Sequence, residues 1–224
     1  MEVLRMGNLF TENKETSFKH RLLNEILSAI THGIGFGLSI AALVLIVIHA
    51  VNTGNPIRIV SDSVYGVSMM LFFISSTLFH SLYFTKAKRV FQIFDHASIY
   101  LLIAGTYTPY CLVTIGGVFG WTLFGIIWGL ALLGIIYKAI WLDKYRNFAT
   151  FLYVVLGWIC IVAFKPLYSN LTSTGFWLLV AGGVVFTIGA LIYSIRRIPY
   201  LHVIWHIIVM IGVALMYFSI LFFV

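Results

Sequence analysis

Seven long stretches of the chain are dominated by apolar residues, and short polar segments separate them. A helix needs about 20 mostly apolar residues to cross the hydrocarbon core of a bilayer, and the stretches have about that length. The pattern therefore predicts an all-α integral membrane protein with seven transmembrane helices. The predicted spans are residues 25–50, 62–84, 91–114, 118–138, 148–165, 173–194 and 201–223.

Glycine and proline mark three places where a span should end or bend. The Gly116-Gly117 pair predicts a tight turn between the third and fourth spans. Lys165-Pro166 is expected to end the fifth span, which is the shortest. Pro109 predicts a kink in the outer half of the third span.

Composition supports a membrane protein and excludes an ordinary soluble domain. Hydrophobic residues make up 61% of the 224 residues and charged residues only 9%, whereas a soluble domain carries about 25% charged residues. The loops are short, so we expect residues 1–24 to form a polar, cytoplasmic N-terminal segment and residues 25–224 a single transmembrane domain. The net charge of +7 comes from basic residues in the segments between the spans. It is therefore not a signal of nucleic-acid binding, and we expect no nucleic-acid partner.

The basic residues lie mostly on one side of the predicted spans, which predicts the orientation. Excess lysine and arginine marks the cytoplasmic side of a membrane protein. Only Arg58 and Lys165 fall on the other side. We therefore predict a cytoplasmic N-terminus and an extracytoplasmic C-terminus in a multi-pass protein of the cell membrane. The residues on the cytoplasmic side are Arg5, Lys14, Lys19, Arg21, Lys86, Lys88, Arg89, Lys138, Lys144, Arg146, Arg196 and Arg197.

Four side chains that can bind a metal ion occur inside apolar stretches, where polar groups are costly. His202 and His206 are one helical turn apart and share a helix face. His80 and Asp95 lie in the second and third spans. On the predicted orientation all four are about 8–14 Å beyond the cytoplasmic charges, at 1.5 Å of rise per residue. Three separated spans thus place these side chains in one layer of the inner leaflet.

Three imidazoles with one open position are typical of a catalytic zinc site, which lowers the pKa of a bound water to about 7. Asp95 would orient the water, act as a general base, or hold a ligand imidazole. Ser76 lies one turn before His80 and would bond to the water or to a substrate carbonyl. The alternative is that each histidine only makes a hydrogen bond between helices, and that Ser76 only packs.

The first span adds a polar face made by Glu25, Ser28, Thr31 and His32. We interpret Glu25, Ser28 and His32 as a network that supports the site, and a ligand role for His32 is disfavoured. Glu25 has an alternative reading as a first-turn acid at the start of a helix. His96 points about 100° away from Asp95 on a helix and is not counted as a ligand.

Four segments resemble the signatures of the hemolysin III family, a branch of the progestin and adiponectin receptor superfamily. Ser28 departs from the pattern because it stands where the family's first motif has asparagine. The resemblance covers all seven spans, and the short loops resemble the bacterial branch. The segments are "NEILSAITHGIG", "SSTLFHSLY", "FDHASIYLLIAGTYTPY" and "HVIWH".

The resemblance implies seven helices with the N-terminus inside and Zn²⁺ bound by three histidines, which correspond to His80, His202 and His206. It also implies a water near Ser76 and Asp95. Animal relatives resemble hydrolases that act on ceramide, whereas bacterial members are named for haemolytic activity and are linked to membrane lipid homeostasis.

Three functions remain open at this stage. The first is a zinc-dependent intramembrane hydrolase acting on a lipid amide or ester. The second is a zinc-containing sensor or receptor-like protein that binds a membrane lipid without turnover. The third is a pore-forming haemolysin, against which the absence of a repeated charged stripe along the spans argues.

Overall fold

The computed structural model describes residues 2–142, 146–195 and 200–224, except for the side chains of residues 2–17, 146 and 147. Every regular element in this part of the chain is helical, as predicted. Of the basic residues used for the orientation, Lys144, Arg196 and Arg197 lie outside the described residues. The cytoplasmic location of the N-terminus stays a prediction.

Seven helical spans in the described residues are long and apolar enough to cross a membrane, which confirms the predicted fold class. The chain is therefore a multi-pass membrane protein. Two spans, the third and the fifth, contain a change of helix type. The elements are α1 Glu2–Asn52, α2 Pro56–Ser81, α3 Lys88–Pro109 with a π-helical turn Tyr110–Ile115, α4 Gly117–Ile140, α5 Arg146–Gly157 with a 3₁₀ segment Trp158–Ala163, α6 Phe164–Asn170, α7 Ser173–Ser194 and α8 Leu201–Phe223.

Local signals explain where α2 and α4 begin. The Asn55 side chain accepts hydrogen bonds from the backbone N–H groups of Ile57 and Arg58 and so caps the start of α2. Gly116 and Gly117 have φ values of 63° and 56°, a region that favours glycine. They form the predicted tight turn between the third span and α4.

The two proline predictions have different outcomes. At Pro109 regular α3 ends and the backbone continues as the π-helical turn, so the expected irregularity takes the form of a wider turn. The prediction that Lys165-Pro166 ends the fifth span is wrong, because α6 continues to Asn170. Pro166 lies in the first turn of α6, where a backbone N–H has no intrahelical partner to lose.

Close helix contacts join α1 to α2 and α2 to α8. A Cβ atom at Gly35 of α1 would lie 2.6 Å from the ring of Phe73 on α2, so a larger residue there would displace that ring. In the first turns of α2, Arg58 pairs with Asp62 at 3.4 Å and donates to the carbonyl of Leu221 near the end of α8. The helices that carry the three histidines are therefore also joined at the end away from the cluster.

Candidate metal centre

Three imidazoles from two helices meet in the interior of the bundle. His80 lies in the last turn of α2, and His202 and His206 lie in the first two turns of α8. One ring nitrogen of each lies within 4.8 Å of the others, an arrangement that can hold a metal ion. His206 is fully buried and His80 is 4% exposed. The structure thus brings together the three histidines that the spacing and depth had selected.

One distance within this cluster fits a tetrahedral ion. The Nε2 atoms of His80 and His202 are 3.2 Å apart. Two nitrogens that each bind zinc at about 2.0–2.1 Å with a tetrahedral angle are separated by about 3.3 Å. The Nε2 atom of His206 is buried and has no hydrogen-bond partner among the described residues. The first two Nε2 atoms therefore have the spacing that ligation requires, and that of His206 is available for it.

Glu25 of α1 contacts the outer nitrogen of one of these imidazoles. Its Oε2 atom lies 2.7 Å from Nδ1 of His80, and both side chains are buried. A carboxylate only accepts a hydrogen bond, so Nδ1 of His80 carries the proton and Nε2 keeps its lone pair. This carboxylate–imidazole pair is typical of metal-binding histidines. Because α1 begins at Glu2, Glu25 lies far inside the helix, and the first-turn reading does not apply.

Replacing Glu25 by glutamine is expected to weaken metal binding about 10- to 100-fold, the usual cost of losing an outer partner of a ligand. Glutamine keeps the size of the side chain but removes its charge and can present an N–H to Nδ1. Competition against a chelator measures the change. Asp62→Asn, which neutralises a buried carboxylate beside Arg58, is the matched control, and an equal loss in both variants would contradict the assignment.

Asp95 and Ser76 are both buried, but they differ in what they contact. Asp95 is 7% exposed, and its Oδ2 atom lies 3.5 Å from Nδ1 of His96. In the described part of the chain, no hydrogen bond joins Asp95 to a cluster imidazole. Ser76 is fully buried, and its hydroxyl has no partner among the same residues. Their predicted catalytic roles therefore remain predictions.

The other residues of the predicted supporting network pack against the cluster. His32 stacks on His206 with ring centroids 3.6 Å apart and an interplanar angle of 12°. Both ring nitrogens of His32 and the hydroxyl of Ser28 are buried without a hydrogen-bond partner among the described residues. His32 does not belong to the three-histidine cluster.

Thr31, which the sequence placed on the polar face of the first span but not in the supporting network, contacts the cluster. Its Oγ1 atom lies 3.2 Å from Nδ1 of His206. A signal for this contact exists in the sequence, because positions 25, 28 and 31 follow one another at a spacing of three along one helix face.

Two apolar cavities share part of their walls, and the smaller one lies near the cluster. The smaller, about 140 Å³, is lined by Tyr193 and Trp205, whose rings lie 6.0 and 5.1 Å from that of His202. The larger, about 360 Å³, extends along the fifth span towards Tyr168 and Trp177. The space is therefore shaped for a long apolar group. The two cavities share the wall residues Thr106, Tyr107, Gly157, Trp158, Gly183 and Met216.

Tyr107 makes two hydrogen bonds to the backbone of the fifth span, in the wall that the two cavities share. The Tyr107 hydroxyl donates to the carbonyl of Gly157 at 2.7 Å and accepts from the backbone N–H of Cys160 at 2.8 Å. These two backbone groups stand where α5 gives way to the 3₁₀ segment. Tyr107 thus satisfies backbone groups at the change of helix type that borders the cavities.

Comparisons with known proteins agree with this architecture. The family model described as haemolysin-III related matches residues 20–217. Hemolysin-3 of Bacillus cereus is 48% identical over 211 residues, which cover 94% of this chain and 96% of the relative. The Hemolysin-3 homolog of Bacillus subtilis is 48% identical over 199 residues, covering 89% and 93% of the two chains.

A more distant similarity extends to animal proteins. The human monocyte to macrophage differentiation factor is 29% identical over 166 residues, which cover 70% of this chain and 67% of the relative. No solved structure matches the chain. The resemblance that the four sequence segments indicated is confirmed.

Proposed function

The chain belongs to the haemolysin-III-related family, and from its interior site we propose that it is a zinc-dependent hydrolase of a lipid amide or ester. The observation that carries the proposal is the convergence of three imidazoles, with the Nε2 atoms of His80 and His202 3.2 Å apart. A three-histidine set leaves a position open for water, as catalytic zinc sites do. A purely structural site usually has four protein ligands.

The apolar cavity near His202, together with the larger cavity that shares its wall, supports a lipid as the substrate. A ligand site is typically a mostly apolar space of about 300–1,000 Å³ with few polar groups, and the larger cavity has about 360 Å³. An acyl chain in this space would bring its carbonyl group to the cluster through the smaller cavity beside Trp205. On the predicted orientation, that carbonyl would lie in the inner leaflet of the bacterial plasma membrane.

The chemistry that we propose uses two residues besides the ligands. A bound zinc ion supplies Lewis acidity and lowers the pKa of a water to about 7. Asp95 accepts the proton as the water oxygen bonds to the substrate's carbonyl carbon. It returns that proton to the leaving amine or alcohol when the carbon–nitrogen or carbon–oxygen bond breaks. The Ser76 hydroxyl donates a hydrogen bond to the carbonyl oxygen.

Metal-dependent turnover by the purified protein tests the proposal. We expect the full chain in detergent to release fatty acid from a panel of fluorescent lipid amides and esters. A chelator should abolish the release, and added Zn²⁺ should restore it. Bound metal without turnover on the whole panel would contradict the hydrolase and leave a non-enzymatic metal-containing sensor.

Membrane permeabilisation is a second candidate, favoured by the name Hemolysin-3 of the Bacillus cereus relative. The same preparation can be added to liposomes of anionic and neutral phospholipids loaded with a dye. Dye release that is equal for the wild-type protein and for His80→Ala, without lipid hydrolysis, would favour this function over the hydrolase.

A further inference from the structure

We propose that Thr31 of α1 is a positioning residue for the metal centre, because its hydroxyl fixes the tautomer and the orientation of His206. This inference rests on the metal site of the proposed function and extends it to a residue that the family resemblance did not supply. It concerns how strongly the site binds an ion and is independent of whether a lipid is hydrolysed.

The direction of the hydrogen bond follows from the other contacts of the same hydroxyl. Thr31 Oγ1 lies 3.0 Å from the carbonyl oxygens of Leu27 and Ser28. A threonine hydroxyl has one hydrogen, and carbonyl oxygens only accept, so that hydrogen points to the helix backbone. In the 3.2 Å contact with His206, Oγ1 is therefore the acceptor and Nδ1 is the donor.

This direction decides which nitrogen of His206 can bind a metal. A neutral imidazole carries one proton, so a proton on Nδ1 leaves the lone pair on Nε2. Nε2 is the buried atom that has no partner among the described residues. If the proton moved to Nε2, that atom would face the cluster as a donor and the ligand set would be incomplete.

Helix α1 contacts a second ligand, His80, in the same way. Glu25, six residues before Thr31 on α1, holds Nδ1 of His80 at 2.7 Å. Each contact uses an acceptor on the outer nitrogen and leaves Nε2 for the ion. Helix α1 contributes no residue to the three-histidine cluster, yet it sets the tautomer of two of its members.

Isosteric removal of the hydroxyl tests this role. Thr31→Val keeps the shape of the side chain and removes the hydroxyl acceptor, while the backbone carbonyl of Ser28, which also faces His206, stays. We expect Zn²⁺ and Co²⁺ to bind about 10- to 100-fold more weakly. Thr31→Ser restores the hydroxyl and should bind both ions as the wild type does. The visible absorption spectrum of the Co²⁺ form should change in Thr31→Val and return in Thr31→Ser.

Thr77→Val is the matched control, because Thr77 of α2 also bonds its hydroxyl to a backbone carbonyl, that of Phe73 at 2.7 Å. Its metal affinity should equal that of the wild type. Unchanged affinity in Thr31→Val, or an equal loss in both valine variants, would overturn the inference. If Thr31→Val does not fold, Thr31→Ala and Thr31→Ser provide the same comparison.

A wild-type protein that binds metal but hydrolyses nothing would refute the hydrolase and leave this test valid.

Discussion

His206→Gln is expected to abolish stable metal binding and, with it, the dependence of the protein's thermal stability on metal. A four-ligand zinc site is worth about 10–16 kcal/mol, so one ligand contributes about 3–4 kcal/mol. That loss corresponds to about a 100- to 1,000-fold weaker site. His206 is fully buried, and its Nε2 atom has no hydrogen-bond partner among the described residues.

Melting curves with and without a chelator measure this effect. An ion present at about 100 times its Kd stabilises the folded state by about 2.7 kcal/mol, so chelation should lower the Tm of the wild type. The Tm of His206→Gln should not respond to chelation. His49→Gln, which changes a histidine at the opposite end of the first span, should behave as the wild type does. A metal-responsive Tm in His206→Gln would remove this residue from the ligand set.

The seven spans and the three-histidine cluster could be predicted because both depend on position along the helix axis, which can be counted in the sequence. Hydropathy gives the length of each span, and a rise of 1.5 Å per residue gives the depth of each side chain. His80 and His206 come from spans far apart in the sequence, yet their similar distances from the basic loops indicated that they meet. The structure brings them together as expected.

Rotation about each helix axis could not be predicted in this way. The depth of Asp95 matches that of the histidines, and depth alone did not indicate that its carboxylate lies 3.5 Å from Nδ1 of His96. It also did not indicate that the Thr31 hydroxyl contacts His206. Which face of a helix turns inward depends on packing contacts such as that between Gly35 and Phe73, which a single sequence does not specify.

The cavities were also beyond prediction, since they depend on a change of helix type. Residues 158–163 form a 3₁₀ segment in the middle of the fifth span, and their sequence is as apolar as that of a regular helix. Lys165-Pro166 was expected to end the fifth span, but α6 continues to Asn170 and the change of helix type precedes the proline. Proline gives a visible signal, whereas the Tyr107 hydroxyl that stabilises the actual break comes from another span.

Asp95→Asn is expected to lower the rate of lipid hydrolysis about 100- to 10,000-fold, the usual contribution of a general base, while metal affinity stays within a few-fold of the wild type. Asparagine keeps the shape of the side chain but does not accept the proton of the attacking water. Asp95 makes no hydrogen bond to a cluster imidazole in the described part of the chain, which is why ligation should survive. Initial rates and chelator competition on the same preparation give both quantities.

Asp62→Asn separates a specific role of Asp95 from the general cost of neutralising a buried carboxylate. Asp62 is fully buried and pairs with Arg58 at the other end of the bundle, so its replacement should leave the hydrolytic rate unchanged. Loss of metal from Asp95→Asn would assign Asp95 to the support of a ligand and not to proton transfer. Full activity of Asp95→Asn would require another base, and His96, whose Nδ1 lies 3.5 Å from this carboxylate, would be the next residue to replace.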